Sequence, residues 1–434
     1  MHDMHPTNDP NLESFVEVDS DSHFPIQNLP YGVARSKDDG EVFICTAIGN
    51  YVVNLTELDA TGVFDGPELD GKPVFRERTL NTFMELGRSA WAEARSYIST
   101  LLSADEPALR DNQPLRERVL TPMNEVEMLL PVDIGDYTDF YSSEQHATNV
   151  GSMFRDPENA LKPNWKHLPV GYHGRASSVV ISGTELHRPQ GQILPPESDD
   201  TPIFSECKLC DFELEMGFLT GPGNELGSPI SVKDAEDHIF GLMLVNDWSA
   251  RDIQKWEYQP LGPFLAKNWA TSVSPWIVTL DALEPFRMEG PEQDPEPLPY
   301  LKSEGNWTFD INLDVFLQSE NMDQPHKICA SNAKNLYWNI AQQLAHHTVT
   351  GCNVRPGDLY ASGTISGEEK SSYGSMLELS WKGTDPIELP NGESRTFLED
   401  GDEVTMTGYA DTDEYRIGFG EVKGKILPAK ELEE

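Results

Sequence analysis

The chain has 434 residues, 38% of them hydrophobic and 9% aromatic, which suffices for two or three packed domains and excludes an intrinsically disordered protein. Asp and Glu number 73 against 32 Lys and Arg, giving a formal net charge of −41, and a field of that sign repels nucleic acids and anionic membrane surfaces. No run reaches the roughly 18 apolar residues of a membrane span, and five scattered Cys predict a reducing, cytoplasmic setting.

In chain order, residues 1–22 read as a flexible polar leader without the basic start and apolar stretch of a secretory signal. From residue 24 to 130, short apolar runs such as 42–45 and 51–53 predict strands separated by turns. Phe83, Gly87, Trp91, Ala94, Ile98 and Leu102 recur at helical spacing and predict one long helix, with Thr79 as its N-cap. A small β-barrel with one helix is the simplest assembly for residues 23–131. The polar stretch 111–118 and Pro131 mark a boundary before a second domain over 132–434. There, apolar runs at 179–181, 212–218, 239–245 and 309–317 alternate with Gly and Pro turns and predict a mostly β domain. Leu336, Ile340 and Leu344 predict one further helix that stops near Gly351.

The densest chemistry lies in Asp211-Phe212-Glu213-Leu214-Glu215-Met216. In a strand, residues two apart share a face, so Glu213 and Glu215 project together while Phe212, Leu214 and Met216 face the core. Two adjacent carboxylates repel, and burying them unpaired costs several kcal/mol; a divalent cation removes both penalties. The rival reading is the solvated face of an amphipathic strand. Asp139 and Asp247, the latter closing the run 239–245, supply two more acids. Four oxygens with no Cys or paired His suit magnesium, calcium or manganese rather than zinc.

His146 follows Asp139 by seven residues and is a candidate base, against the common alternative of a satisfied structural histidine. Glu378, between Leu377 and Leu379, reads as an acid in an apolar strand. Arg251 and Gln254 stand three apart, on one face if helical, and Lys267 is the sole charge in its apolar stretch. Together these donors suit an oxyanion pocket, with snorkelling as the alternative for Lys267. The lone Cys207/Cys210 pair does not make a zinc ribbon, the glycine clusters miss dinucleotide spacing, and no Gly-x-Ser-x-Gly elbow occurs.

Long stretches (24–32, 135–143, 168–178, 246–254 and 375–383) make the chain resemble the fumarylacetoacetate hydrolase family from about His23 to the end. The resemblance implies an N-terminal SH3-like barrel, a C-terminal mixed β-sandwich roll and a homodimer. It implies cleavage of a carbon–carbon bond in 4-fumarylacetoacetate, giving fumarate and acetoacetate, the last step of tyrosine and phenylalanine degradation. Carried over residue by residue, it places Mg2+ or Ca2+ on Asp139, Glu213, Glu215 and Asp247, with Lys267 and Thr271 at a further magnesium position. It makes His146 the base, oriented by Glu378, and gives the oxyanion pocket to Arg251, Gln254 and Lys267. Substrate contacts fall on Tyr141, Arg155, Tyr172, Gln254, Tyr258 and Thr364. Residues 268–270 (Asn-Trp-Ala) depart from the glycine-containing segment that the family pattern implies, and the strong acidity resembles proteins of salt-accumulating organisms. The alternatives are an acylpyruvate hydrolase or another member of the superfamily, or a calcium-stabilised protein without catalysis.

Overall fold

The computed structural model describes residues 5–431 and shows a mixed β/α fold built on three curled sheets. The first is antiparallel and holds Leu120–Pro122, Tyr51–Asn54, Val42–Ile48, Tyr31–Ser36 and Val126–Leu129, in that spatial order. The central sheet has eight strands. Its middle consists of Tyr137–Phe140, Leu359–Ala361, Leu214–Thr220, Ile239–Asp247 and Thr271–Val273. The third, five-stranded sheet contains Asn312–Gln318, Glu403–Asp411 and Arg416–Leu427.

The run 239–245 is apolar without alternation because its strand is covered on both faces. Leu242 and Leu244 join Leu313, Val315, Val404 and Met406 in the core beneath the third sheet. Phe240, Met243 and Val245 instead join Tyr31, Phe83 and Trp91 in the core shared with the N-terminal region. Asp247 continues the second of these faces at the end of the strand.

Three local expectations change. The predicted long helix is two, Asn81–Glu85 and Arg88–Leu102, because Gly87 at φ 86 takes a left-handed turn that interrupts the helical hydrogen bonds. The first begins at Asn81, with Leu80 rather than Thr79 in the cap position. The later helix covers Ile340–Thr348, begun by a capping box of Asn339 and Gln342. The expected flexible leader is anchored over its described part, residues 1–4 lying outside the described residues. Thr7 and Asn8 are buried because the enclosed guanidinium of Arg95 needs acceptors: its Nε donates to Thr7 Oγ1 at 2.7 Å and its Nη2 to Asn8 Oδ1 at 3.0 Å.

Candidate active site

Register brings the acids together. Asp139, on Tyr137–Phe140, pairs with Ala361, and Ala361 pairs with Gly217 two residues beyond Glu215. Glu215 pairs with Val245, two residues before Asp247, and Asp247 pairs with Thr271. Glu213 precedes the strand Leu214–Thr220, held by a bridge to Ser375 and by its N–H donating to Asn246 Oδ1 at 3.2 Å. Asp139, Glu213, Glu215 and Asp247 therefore each place one oxygen within 4.8 Å of the others, all buried. Facing the other way, Phe212, Leu214 and Met216 enter the apolar core, as strand alternation requires.

This cluster is incompletely neutralised. Lys267 pairs with Glu213 and, at 2.8 Å, with Asp247 Oδ2; Arg251 Nη1 meets Glu213 Oε1 at 2.8 Å. Burial pushes Glu213 up, but Lys267 and Arg251 outweigh it and hold its carboxyl down at about 2. The other side of the cluster has no such help. Burial, then the charge of Asp247, pushes Asp139 well above the usual carboxylate range, and burial, then Asp139, does the same to Glu215. Asp139 Oδ1 and Glu215 Oε1 are enclosed with no hydrogen-bond partner. Two orphaned oxygens in an all-oxygen set fit a hard divalent cation, whose opposed ligands at about 2.1–2.6 Å lie some 4–5 Å apart. Thr271 Oγ1 donates to Asp247 Oδ1 at 2.6 Å, and the Tyr172 hydroxyl donates to Asp247 Oδ2 at 3.2 Å. Gly363 N–H donates to Glu215 Oε2 at 3.1 Å; its φ of +81 and a Cβ that would lie 2.3 Å from Phe140 O make glycine obligatory there. Lys267 is a charge partner of this group rather than a ligand, since an ammonium has no lone pair to offer.

His146 lies on the helix Glu144–Phe154, capped by Ser143. Its Nδ1 meets Glu378 Oε2 at 2.7 Å, both side chains buried. Glu378 is not in a strand: Met376–Leu379 is a short helix capped by Ser375. Its carboxylate also accepts from Ser366 Oγ at 2.9 Å, Ser375 Oγ at 2.8 Å and Asn149 Nδ2 at 2.9 Å. Burial raises the Glu378 carboxyl, but His146 and these donors outweigh it and hold it below its ordinary value. An ionised Glu378 accepts the Nδ1 proton and leaves His146 Nε2 as the free lone pair. The base and the acid cluster are close, since Glu213 bridges Ser375, whose Oγ donates to the Glu378 carboxylate that holds His146. Asn149, Ser366 and Ser375 carry no signal that sequence reasoning could have used.

The helix Arg251–Glu257 does put Arg251 and Gln254 on one face. Arg251 Nη1 donates to Gln254 Oε1 at 3.3 Å, which turns the Gln254 amide NH2 away as a donor, while Arg251 Nη2 is buried without a partner. Tyr141 packs edge-on against His146, ring centroids 5.2 Å apart, and Arg155 Nε donates to Ala160 O at 3.2 Å. Thr364 is buried with Oγ1 unpartnered. Tyr258 is not brought into the buried cluster: it is 47% exposed, its hydroxyl held by Gln259 Nε2 at 3.0 Å.

Residues 136–427 match the family described as fumarylacetoacetate (FAA) hydrolase C-terminal, and residues 27–131 match fumarylacetoacetase N-terminal. Proteins named fumarylacetoacetase from Bos taurus and Homo sapiens are each 58% identical over 417 residues, covering 96% of this chain and 99% of theirs. The one from Dictyostelium discoideum is 56% identical over 421 residues, with 96% and 98% coverage. The solved fumarylacetoacetate hydrolase of psychrophilic Exiguobacterium antarcticum shares the fold, with a TM-score of 0.51 and 15% identity over 93% of this chain and all of that one. At this identity and coverage, the chain belongs to the fumarylacetoacetate hydrolase family.

Proposed function

We propose that the chain hydrolyses 4-fumarylacetoacetate to fumarate and acetoacetate, and that its active site is the ground between the four carboxylates and the His146–Glu378 pair. The single observation that carries this reading is His146 Nδ1 on a fully hydrogen-bonded Glu378 beside a buried cluster of four carboxylates. Asp139, Glu213, Glu215 and Asp247 would hold a divalent cation, Mg2+ or Ca2+, which supplies a Lewis acid for the oxygens of the diketone. His146 Nε2 takes a proton from a water that attacks the carbonyl carbon. Arg251 Nη2, the Gln254 amide and the ammonium of Lys267 face the negative charge that develops on that oxygen. The carbon–carbon bond then breaks, and the electron pair leaves on the acetoacetate fragment. A proton from His146 completes that product, while the hydroxyl from water stays with the fumarate carboxyl. Tyr141, Arg155 and Thr364 line the substrate side, Tyr172 steadies Asp247, and Thr271 fixes Asp247 Oδ1 at the further magnesium position. Tyr258 would reach substrate only by an inward movement of its exposed segment.

The same reading makes the protein a cytoplasmic homodimer, with an SH3-like barrel in 23–131, a catalytic β-roll in 132–434, and residues 1–22 as a leader that serves folding rather than chemistry. The test is loss of the diketone absorbance of 4-fumarylacetoacetate on adding purified, metal-loaded protein, with an acylpyruvate assayed beside it. Turnover of the acylpyruvate alone would replace this assignment with the related hydrolase; turnover of neither would end it.

A further inference from the structure

Asp211 is fully buried and takes part in no step described above, yet it touches both halves of the site. Its Oδ2 accepts from Arg251 Nε at 2.8 Å, and Glu213 Oε1 accepts from Nη1 of the same guanidinium, so Arg251 is clamped between two carboxylates two positions apart in the chain. The clamp leaves Nη2 as the one nitrogen of that fork without a partner. On its other side, Asp211 Oδ1 accepts from Met376 N at 2.6 Å and Oδ2 from Leu377 N at 3.1 Å. Those are the first two amides of the short helix Met376–Leu379 that carries Glu378. The strand segment Cys210–Asp211 is itself tied to Ser249–Ala250, directly before Arg251. One carboxylate thus fixes the guanidinium that faces the developing oxyanion and the backbone turn that aims the carboxylate behind the base.

We infer that Asp211 is a positioning residue that sets Arg251 and Glu378 in register with each other, so that oxyanion stabilisation and proton abstraction are aligned on one substrate. The inference rests on the roles proposed above for Arg251, Glu378 and His146. The amide of Asp211→Asn keeps a single acceptor: with its oxygen at the Oδ2 place it turns an NH2 against Met376 N, and with its oxygen at the Oδ1 place it turns the NH2 against both Arg251 Nε and Leu377 N.

The experiment compares metal-loaded wild type, Asp211→Asn, Glu378→Gln and the double variant, with folded fraction measured by circular dichroism and kcat and KM measured per folded molecule. Asp211→Asn is expected to lower kcat about a hundredfold with KM within about threefold, and to cost tenfold or less when added to Glu378→Gln, since residues that act as a unit are strongly non-additive. A loss that merely follows the folded fraction, or one that multiplies in full with Glu378→Gln, overturns the inference. If the Asn variant does not fold, Asp211→Glu takes its place with the same two outcomes, since it keeps the charge on a longer arm. His146→Ala is run in parallel: normal turnover by that variant sinks the proposed active site itself, whereas its loss with unchanged Asp211→Asn sinks only the positioning role.

Discussion

Two sets of buried carboxylates lie close together in this protein and differ in one respect. Glu378 is enclosed and every approach to it is met by a donor: His146, Asn149, Ser366 and Ser375. The set of Asp139, Glu213, Glu215 and Asp247 is as deeply enclosed, yet Asp139 Oδ1 and Glu215 Oε1 meet nothing, and two cations face four acids. Burial alone therefore does not tell a structural acid from a ligand; the count of donors does. A closed network serves as a fixed part, whereas an open one is complete only with a cation.

The comparison breaks first on metal removal. Chelation is expected to lower turnover by about 10⁴-fold, the scale of several kcal/mol of transition-state stabilisation. Add-back of Mg2+ or Ca2+ should restore it and raise the unfolding free energy by about 2.7 kcal/mol at a hundredfold excess over Kd. Chelated protein that keeps full activity would leave the open cluster without a purpose. His146→Ala should cost about a thousandfold in kcat, within the range of a lost general base, while metal titration by calorimetry stays normal. The sharpest contrast is the same substitution in both sets, measured by denaturant unfolding of chelated protein. Glu378→Gln places an amide NH2 against donors and should cost about 2 kcal/mol. Glu215→Gln replaces a carboxyl whose charged form burial and Asp139 already disfavour, and should cost nothing or stabilise by about 1 kcal/mol, while abolishing the gain from metal. Equal losses in both would show that the two sets are alike after all.

How much of this was readable in advance follows the range of each interaction. The shared face of Glu213 and Glu215 was legible because strand alternation is a local property, and Asp247 because it closes an apolar run. The secondary structure around Glu378 was not: Met376–Leu379 is one helical turn, and over four residues Leu-Glu-Leu reads equally well as a strand. The break at Gly87 was hidden because the apolar spacing runs on through it and only the backbone angle, φ 86, interrupts the helix. Asp211, two residues before Glu213, carries no local sign of its role, since its partners, Arg251 and the Met376–Leu377 amides, are about 40 and 165 residues away in the chain. The anchoring of residues 7 and 8 escaped for the same reason, because its cause is Arg95, 88 positions from Thr7. Periodicity announces elements and faces; it does not announce which distant donor will complete a buried acid.

The smallest expected effect tests the closed network by its charge. Glu378 is held below its ordinary value of 4.5: burial opposes this, but His146 and the surrounding donors prevail. A carboxyl that is more acidic when folded binds fewer protons than in the unfolded chain, so its contribution to stability is present above that ordinary value and is lost as pH falls through the folded one. Wild type and Glu378→Gln, both chelated, differ in this carboxyl and in the partner it offers His146, so the difference in their unfolding free energies reports the pair. That difference should shrink as pH falls below about 4.5, by no more than about 1.4 kcal/mol per pH unit, and level off below the folded value of Glu378. A difference that holds constant to the acid limit would mean that Glu378 is not kept ionised by its neighbours, and the fixed tautomer of His146 would lose its support.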